Sequence, residues 1–266
     1  MQIQPKKSLG QHFLHSRKVL NDIISAANIQ KDEIILEIGP GTGILTRELL
    51  NARVNVVAVE KDIRSYELLK EKFAGERAKG SLILKYGDIL KFDCLATGLK
   101  KGEYALVANI PYYITGAILE KFLANDPRPN RMVMLTQKEV ADRIVANDGK
   151  ESILSISVKA FGEPRIVAKV PRGAFAPPPT VDSAILEINN ISIKKFTNRG
   201  LEIRRFFDIV RTGFAHKRKL LMRNLEDVAD LENIKKVWNY LSFDEKVRAE
   251  DLSLEQWFAL STKISA

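Results

Sequence analysis

Between residues 33 and 136, short apolar runs alternate with amphipathic segments, and this alternation constrains the fold more than any other feature. The apolar runs lie at 34–38, 54–59, 82–84, 104–110 and 132–135, and the helical patterns lie near 44–52, 62–74, 115–124 and 137–147. Runs that are continuously apolar are typical of parallel strands buried on both faces. The alternation therefore predicts an α/β fold, in which helices cover both faces of a mainly parallel sheet.

The pattern changes after Gly149. Three segments rich in β-branched residues follow, at 153–161, 165–170 and 181–188, and they predict antiparallel strands that complete the sheet. Beyond residue 190 the pattern is helical, with segments at 203–214, 217–226, 231–241 and 253–263. We therefore predict two domains, an α/β domain over residues 1–189 and a small all-helical domain over residues 190–266.

The charge is strongly positive and unevenly distributed. The net charge of the chain is +9, and the segment 194–223 alone has ten basic residues and two acidic ones. Such a cluster favours a polyanionic partner, namely nucleic acid or an anionic surface. No apolar run is long enough to span a membrane, and one cysteine, Cys94, cannot form an internal disulfide. We expect a cytoplasmic protein without membrane attachment and with an inert Cys94 thiol.

A glycine-rich loop follows the first predicted strand and precedes a helix. It reads Glu37-Ile-Gly39-Pro-Gly41-Thr-Gly43, and its glycines allow a sharp turn and a close approach to a ligand. The spacing differs from the G-x-G-x-x-G of dinucleotide sites, and no Lys-Ser/Thr pair follows as in nucleoside-triphosphate loops. The loop is similar to that of S-adenosylmethionine-dependent methyltransferases.

Two acidic residues stand at the ends of the next two predicted strands. Glu60 ends the second, where a carboxylate can accept hydrogen bonds from both hydroxyls of a ribose, and Asp88 follows the third, where it can accept from an adenine amine. Because the ends of parallel strands meet at one edge of a sheet, we predict that both carboxylates face the same ligand.

The fourth predicted strand is followed by Asn109-Ile110-Pro111-Tyr112. This pattern resembles that of methyltransferases that act on exocyclic amines of nucleobases. The lone pair of such an amine is delocalised into the ring, so the amine is a poor nucleophile. If the Asn109 side chain and the Ile110 carbonyl each accept a hydrogen bond from it, its nitrogen becomes more pyramidal and its lone pair is free to attack. Tyr112 is predicted to stack on the target base.

Five motifs together resemble the KsgA family of small-subunit ribosomal RNA adenine dimethyltransferases. In chain order they are KSLGQHFL at 7–14, the glycine loop, NIPY at 109–112, QKEVADR at 137–143 and FAPPPTVDS at 175–183. The likeness covers about residues 5–188. It implies a Rossmann-like S-adenosylmethionine-dependent methyltransferase sheet, with S-adenosylmethionine as methyl donor. Two adjacent adenosines in the 3′-terminal hairpin of small-subunit RNA would become N6,N6-dimethyladenosine, in a role linked to subunit biogenesis.

The resemblance also implies roles for individual residues. A segment at 5–15 would close over the cofactor, with backbone contacts from His12 and Leu14. Phe175 would stack on the face of the target base opposite Tyr112. The other cofactor residues would be Gly39, Gly41, Glu60, Asp88, Ile89 and Asn109, and the basic residues that would bind RNA are Arg204, Arg211, Lys217, Arg218, Lys219 and Arg223. The partner would be small-subunit RNA or the immature 30S subunit, bound by a monomer.

The chain departs from the family pattern at three places. Tyr113 stands where relatives usually carry Asn or Gln, Glu151-Ser152 replaces a common Tyr-Gly pair, and His12 replaces the usual Asn. The pair His12 and His15 has a metal-like spacing, but no further ligands accompany it, so we predict no metal site.

Three other functions are compatible with parts of this pattern. A large-subunit RNA methyltransferase that confers antibiotic resistance shares the glycine loop and Asn-x-Pro-Tyr. A non-catalytic ribosome-assembly factor could retain the fold, although the intact Glu60, Asp88, Asn109 and Tyr112 argue against it. A small-molecule methyltransferase would have no use for the basic segment.

Overall fold

A computed structural model describes residues 3–6 and 10–265, and the chain divides into two compact units. The first is made of residues 1–141 and 162–191, and the second of residues 142–161 and 192–266. The second unit therefore includes residues 142–161, which the sequence pattern did not separate from the α/β domain. The division of cofactor and RNA binding between residues 1–189 and 190–266 stays a prediction. Lys7–Leu9 of the first motif lie outside the described residues.

A seven-stranded sheet forms the centre of the first unit. Its strands, in spatial order, are β4 (Leu82–Tyr86), β3 (Asn55–Glu60), β2 (Ile34–Ile38), β5 (Tyr104–Asn109), β6 (Arg131–Gln137), β9 (Ser183–Asn189) and β7 (Glu163–Val170). The first five are mutually parallel, β9 is antiparallel to both of its neighbours, and β7 forms the edge of the sheet. The strand order reverses direction between β2 and β5, and ligands in open α/β sheets bind at the carboxyl ends of the strands at such a point.

Helices cover this sheet, and the strand residues of both faces are buried. The helices of the first unit are α1 (Arg17–Ala27), α2 (Ile44–Asn51), α3 (Ile63–Lys72), α4 (Ala74–Ala78) and α5 (Thr115–Ala124), while α6 (Lys138–Val145) continues into the second unit. Ile35, Ala58 and Val107 lie in one core cluster with residues of α1, α2 and α3. Leu36 and Leu106, of opposite parity, are buried as well. The predicted α/β class and the doubly covered parallel sheet are therefore confirmed.

A two-stranded ribbon stands apart from the main sheet. It pairs β1 (Phe13–Leu14) with β8 (Phe175–Ala176), antiparallel, with Leu14 opposite Phe175. Short 3₁₀ turns complete this unit at Leu95–Thr97, Tyr112–Ile114 and Arg172–Ala174.

The second unit is helical. Its helices are α7 (Ile153–Lys159), α8 (Lys194–Thr197), α9 (Ile203–Gly213), α10 (Leu221–Asn224), α11 (Leu231–Leu241) and α12 (Leu254–Ser265), with 3₁₀ turns at Leu225–Asp227 and Ala249–Asp251. Aromatic rings form its core, with Phe206 stacked on Phe258 at 4.6 Å between centroids and Phe196 edge-on to Phe258 at 5.2 Å. Aromatic pairs at these separations add to the free energy gained from their burial.

Two sequence-based predictions of secondary structure are wrong. The segment at 153–161, predicted as a strand, forms α7. Ser152 and Ser155 build a reciprocal capping box there, with Ser155 N–H donating to Ser152 Oγ at 3.1 Å and Ser152 N–H to Ser155 Oγ at 2.7 Å. The helix predicted at 217–226 begins at Leu221, because the preceding residues form an exposed turn closed by the Lys219 N–H on the His216 carbonyl.

Two kinds of feature are absent from the part of the chain that the structure describes. None of its helices has the length and apolar character needed to cross a bilayer. Nowhere in the same residues do three or more histidine, cysteine or acidic side chains gather as metal ligands would.

Replacement of Ser152 by Ala tests the origin of α7. Loss of an N-cap costs about 0.5–2 kcal/mol, so we expect Ser152→Ala to lower the free energy of unfolding by about 1 kcal/mol in a urea titration. A Ser155→Ala variant, which removes the other half of the box, serves as the partner for a double-mutant cycle. If both single variants are as stable as the wild type, the capping box does not account for the helix.

Candidate active site

A cleft opens at the carboxyl ends of the parallel strands, at the point where the strand order reverses. Its walls come from the glycine loop after β2, the end of β3, the loop after β4 and the segment after β5. The predicted residues that line it are His12, Leu14, Gly39, Gly41, Glu60, Asp88, Ile89, Asn109, Ile110, Pro111 and Tyr112. The structure thus brings together all the predicted cofactor and catalytic residues except Phe175.

The glycine loop has a backbone that only glycine adopts easily. Gly41 has a φ of 58°, and its N–H donates to Glu60 Oε2 at 2.9 Å. Gly43 has a φ of 75°, and a Cβ atom there would lie 2.6 Å from side-chain atoms of Leu69 and Phe73. Positive φ and lack of space together require glycine at these positions.

Glu60 is buried at the end of β3 and is fixed by two backbone donors. Its Oε1 accepts from Asp62 N–H at 2.7 Å, and its Oε2 accepts from Gly41 N–H at 2.9 Å. Burial raises the pKa of Glu60, although both N–H donors act in the opposite direction. Since each carboxylate oxygen can accept two hydrogen bonds, one position on each oxygen remains for a ribose hydroxyl.

Asp88 follows β4, and each of its two carboxylate oxygens accepts one hydrogen bond. Its Oδ1 accepts from Leu90 N–H at 3.0 Å, and Lys61 Nζ donates to Oδ2 at 2.9 Å. The hydrogen bond from Lys61 holds the pKa of Asp88 below its usual range. Asp88 is therefore a carboxylate, which suits an adenine amine, and the neighbouring Ile89 is buried in the same wall.

The segment before α1 forms one wall of the cleft. Gln11 Nε2 donates to Asp62 Oδ2 at 2.9 Å, and the guanidinium of Arg64 lowers the pKa of Asp62 to about 2. The His12 ring nitrogen Nδ1 lies 2.8 Å from the Pro177 carbonyl oxygen. Because a carbonyl oxygen only accepts, Nδ1 carries the proton in this contact. Sequence reasoning missed Gln11 and Asp62, although Asp62 stands at the N-cap of α3.

Asn109 lies beside the glycine loop, and Tyr112 is held by a hydrogen bond to a buried hydroxyl. Asn109 is the last residue of β5, and its carbonyl oxygen lies 3.8 Å from the position that a Cβ atom would occupy on Gly39. The Tyr112 hydroxyl lies 2.6 Å from Ser183 Oγ, a fully buried group at the start of β9. This bond fixes the Tyr112 ring, and the pKa of its hydroxyl is raised by burial.

Phe175 does not line the cleft in this structure, and its predicted stacking on the target base stays a prediction. Its side chain is 3% exposed and packs in the core cluster with Leu14. The pairing of β1 with β8 directs the ring into that core, where burial of an aromatic surface is most favourable. The ring that faces Tyr112 is His12, with a centroid distance of 6.1 Å and an angle of 18° between the planes.

The six basic residues predicted to bind RNA are all exposed in the second unit. Arg211 donates to Asp208 at 2.6 Å and Arg223 to Glu226 at 3.2 Å, each within a helical turn. By contrast, no ion pair engages Arg204 or the cations at 217–219 within the described residues. These four side chains present positive charge that no carboxylate offsets. Their role in RNA binding stays a prediction.

Replacement of Glu60 by Gln tests its role as a ligand. The amide keeps one acceptor oxygen for two backbone donors and loses the charge, and hydrogen bonds to charged groups contribute about 1.5–3 kcal/mol. We expect S-adenosylmethionine to bind at least about ten-fold more weakly in calorimetry. The control is Glu48→Gln on α2, outside the cleft, where the side chain pairs with Arg17 at 3.0 Å. Equal affinity in both variants would contradict the ribose assignment.

Comparison with known proteins identifies the family. The family model described as ribosomal RNA adenine dimethylase matches residues 3–265. A protein of Dehalococcoides mccartyi named ribosomal RNA small subunit methyltransferase A is 40% identical over 96% of this chain and 87% of its own length. A protein of the same name from Nostoc sp. is 38% identical over 97% of both chains.

Solved structures agree with this result. A dimethyladenosine transferase from Plasmodium falciparum superposes with a TM-score of 0.78 and 28% identity, covering 94% of this chain and 96% of that one. The 23S rRNA methyltransferase ErmE superposes with a TM-score of 0.75 and 28% identity, covering 96% and 100%. The full-length match to the family model, with the relatives above 30% identity, shows that this chain belongs to the ribosomal RNA adenine dimethylase family.

Proposed function

We propose that this protein transfers methyl groups from S-adenosylmethionine to N6 of two adjacent adenosines in the 3′-terminal hairpin of small-subunit ribosomal RNA, with N6,N6-dimethyladenosine as product. The observation that carries the proposal is the 40% identity over 96% of the chain to a small subunit methyltransferase A. The cleft supports it, because the acidic, amide and aromatic side chains that this chemistry needs line one site.

The residues of the cleft fit the methyl donor. Glu60 offers two acceptor positions for ribose hydroxyls, and Asp88 offers a carboxylate beside the buried Ile89 for an adenine amine. Gly39 has no side chain at the place where the Asn109 carbonyl faces the loop. When bound, S-adenosylmethionine supplies an electrophilic methyl group on a sulfonium. The residues that would hold it are therefore those of the glycine loop, β3, β4 and β5.

Asn109 and Ile110 act on the attacking amine. Their side-chain and main-chain oxygens accept its two N–H bonds, and this favours a nitrogen whose lone pair is available for attack. Such contacts strengthen as the nitrogen becomes tetrahedral, so they lower the barrier more than they strengthen substrate binding. Tyr112, fixed by Ser183, offers a ring face on which the extruded base stacks.

Recognition of the RNA involves the second unit. The cations at 204 and 217–219, which have no carboxylate partner among the described residues, would contact phosphates. Phosphate contacts supply most of the sequence-independent affinity for RNA. The partner we propose is the small-subunit RNA within an immature 30S subunit, bound by a monomer in the cytoplasm. The distribution of charge supports this choice over a small-molecule substrate.

The large-subunit alternative has one observation in its favour, the likeness to ErmE at a TM-score of 0.75. The fold therefore does not separate the two substrates, whereas the names of the relatives favour the small subunit. The deciding experiment maps methyl-labelled adenosines in both ribosomal RNAs after incubation with the protein and labelled donor. Label confined to adjacent adenosines of small-subunit RNA is expected, and label in large-subunit RNA alone would overturn the proposal.

Asn109→Ala should separate binding from chemistry. The variant loses one of the two acceptors for the amine, so we expect turnover to fall by orders of magnitude while the affinity for S-adenosylmethionine changes little. Single-turnover methylation and calorimetry measure the two effects. Near-normal turnover would contradict the role given to Asn109.

The charges at 217–219 should supply RNA affinity without chemistry. In a Lys217→Glu, Arg218→Glu, Lys219→Glu variant, each lost phosphate contact should reduce the slope of log affinity against log salt by about 0.7–0.9. S-adenosylmethionine should bind normally. The control carries the same change in charge at the exposed residues Lys31, Lys79 and Lys100 of the first unit. If the plots of log affinity against log salt for the variant and the wild type coincide, this turn does not belong to the RNA interface.

A further inference from the structure

Glu37 is a buried carboxyl group in the cleft to which the reaction gives no role. It lies inside β2, between Ala58 of β3 and Val107 of β5 in the sheet register, and its side chain is 1% exposed. Neither of its carboxyl oxygens has a hydrogen-bond partner among the described residues, yet Glu37 lines the cleft. A buried polar group without a partner costs free energy, which a ligand can recover.

The charged groups near Glu37 are acidic. From β3 it faces Glu60, and from α2 it faces Thr46, whose hydroxyl is also buried without a partner. Three cations of the neighbouring elements have other partners, since Lys61 pairs with Asp88, Arg64 with Asp62 and Arg47 with Glu76. Glu37 itself takes part in no ion pair within the described chain. Within the described residues, therefore, neither carboxyl group of this pair has a cation as its partner.

Two such groups do not both ionise readily, and burial together with hydrogen bonding indicates which one does. Glu60 accepts two N–H bonds at 2.7 and 2.9 Å, and both stabilise its ionised form. Complete burial, together with the charge of Glu60, raises the pKa of Glu37 to about 8 and outweighs the nearby hydroxyl and N–H of Thr46, which favour its ionised form. At neutral pH the proton of the pair resides on Glu37.

We propose that Glu37 is a proton-linked counter-ion for the methyl donor. Glu37 carries a proton in the free protein and releases it when the sulfonium compound binds. It regains a proton once the donor has become an uncharged thioether. The inference rests on the proposed function, because it concerns the same cleft. It gives the protein a means to distinguish the donor from its own product, which differ in one methyl group and one positive charge.

The charges balance through one cycle. Binding of the donor releases one proton to solvent as Glu37 ionises. In methyl transfer the S–CH₃ bond breaks, its electron pair stays on sulfur, an N–CH₃ bond forms and the amine loses one proton. Since Glu37 takes up one proton as the sulfur becomes neutral, the transfer step itself releases none.

Calorimetry in buffers of different ionisation enthalpy measures the protons released on binding. At pH 7 we expect wild-type protein to release close to one proton more with S-adenosylmethionine than the isosteric variant Glu37→Gln does. This difference removes any contribution from the ligand's own ammonium group. The excess should shrink strongly with S-adenosylhomocysteine, the uncharged thioether. Affinity for the donor should rise by up to about ten-fold per pH unit as the pH approaches 8 and level off above it.

The matched control is Glu187→Gln. Glu187 is a buried carboxyl group of the same sheet that pairs with Arg165 and does not line the cleft. We expect its proton release and its preference for donor over product to equal those of the wild type. In Glu37→Gln, the preference for the donor over the thioether should fall by about ten-fold or more.

A second measurement needs no variant. Infrared difference spectra of the wild type should lose a protonated carboxylic acid band when the donor is added and keep it with the thioether. Identical proton release in wild type and Glu37→Gln, or an unchanged acid band, would overturn the inference. Either result would leave the proposed function intact if small-subunit RNA is still methylated. If the wild type binds the donor but leaves that RNA unmodified, the proposed function is wrong. The number of protons released on donor binding is not affected by that result.

Discussion

The hydrogen bond from the Gly41 N–H to the Glu60 carboxylate is the contact on which the rest of the cleft depends. It ties the loop after β2 to the end of β3, and it exists only because the two strands run parallel in the observed register. Glu37, Glu60 and Asn109 share one face of the sheet for the same reason. A shift of one residue in strand pairing would send such a set to the opposite face, so the site requires the register of the sheet.

Much of this arrangement could be predicted from the sequence, because it depends on strand ends. Continuously apolar runs located the parallel strands, and residues placed directly after such runs meet at one edge of the sheet. Phe175 could not be placed this way. Its burial results from the pairing of two short strands far apart in the chain, and no local pattern encodes that pairing. The sequence does not predict helix α7, because its β-branched residues favour a strand. The capping box of Ser152 and Ser155 stabilises the helix instead.

Glu37 shows a different limit of sequence reasoning. A carboxyl group within an apolar strand is visible as an anomaly, but its state depends on what covers it. In this protein, α2 brings the hydroxyl and the N–H of Thr46, and β3 brings a second carboxylate. The cleft thus gathers acidic groups, whereas a dense basic cluster lies at 194–223 in the other unit. Electrostatics suited to a cationic small molecule and to a polyanion occur on separate parts of one chain.

The wall formed by residues 10–14 has a consequence for exchange of ligands. Within the described residues, its hydrogen bonds to the chain beyond residue 15 are the two-residue pairing of β1 with β8, Gln11 on Asp62 and His12 on the Pro177 carbonyl, while Leu14 is also buried in the core cluster. None of these bonds belongs to the seven-stranded sheet, so the wall can detach while the sheet keeps its hydrogen bonds. Segments with so few bonds open at a small fraction of the free energy of global unfolding. Amide hydrogens of this wall should therefore exchange with solvent far sooner than those of β2 and β5.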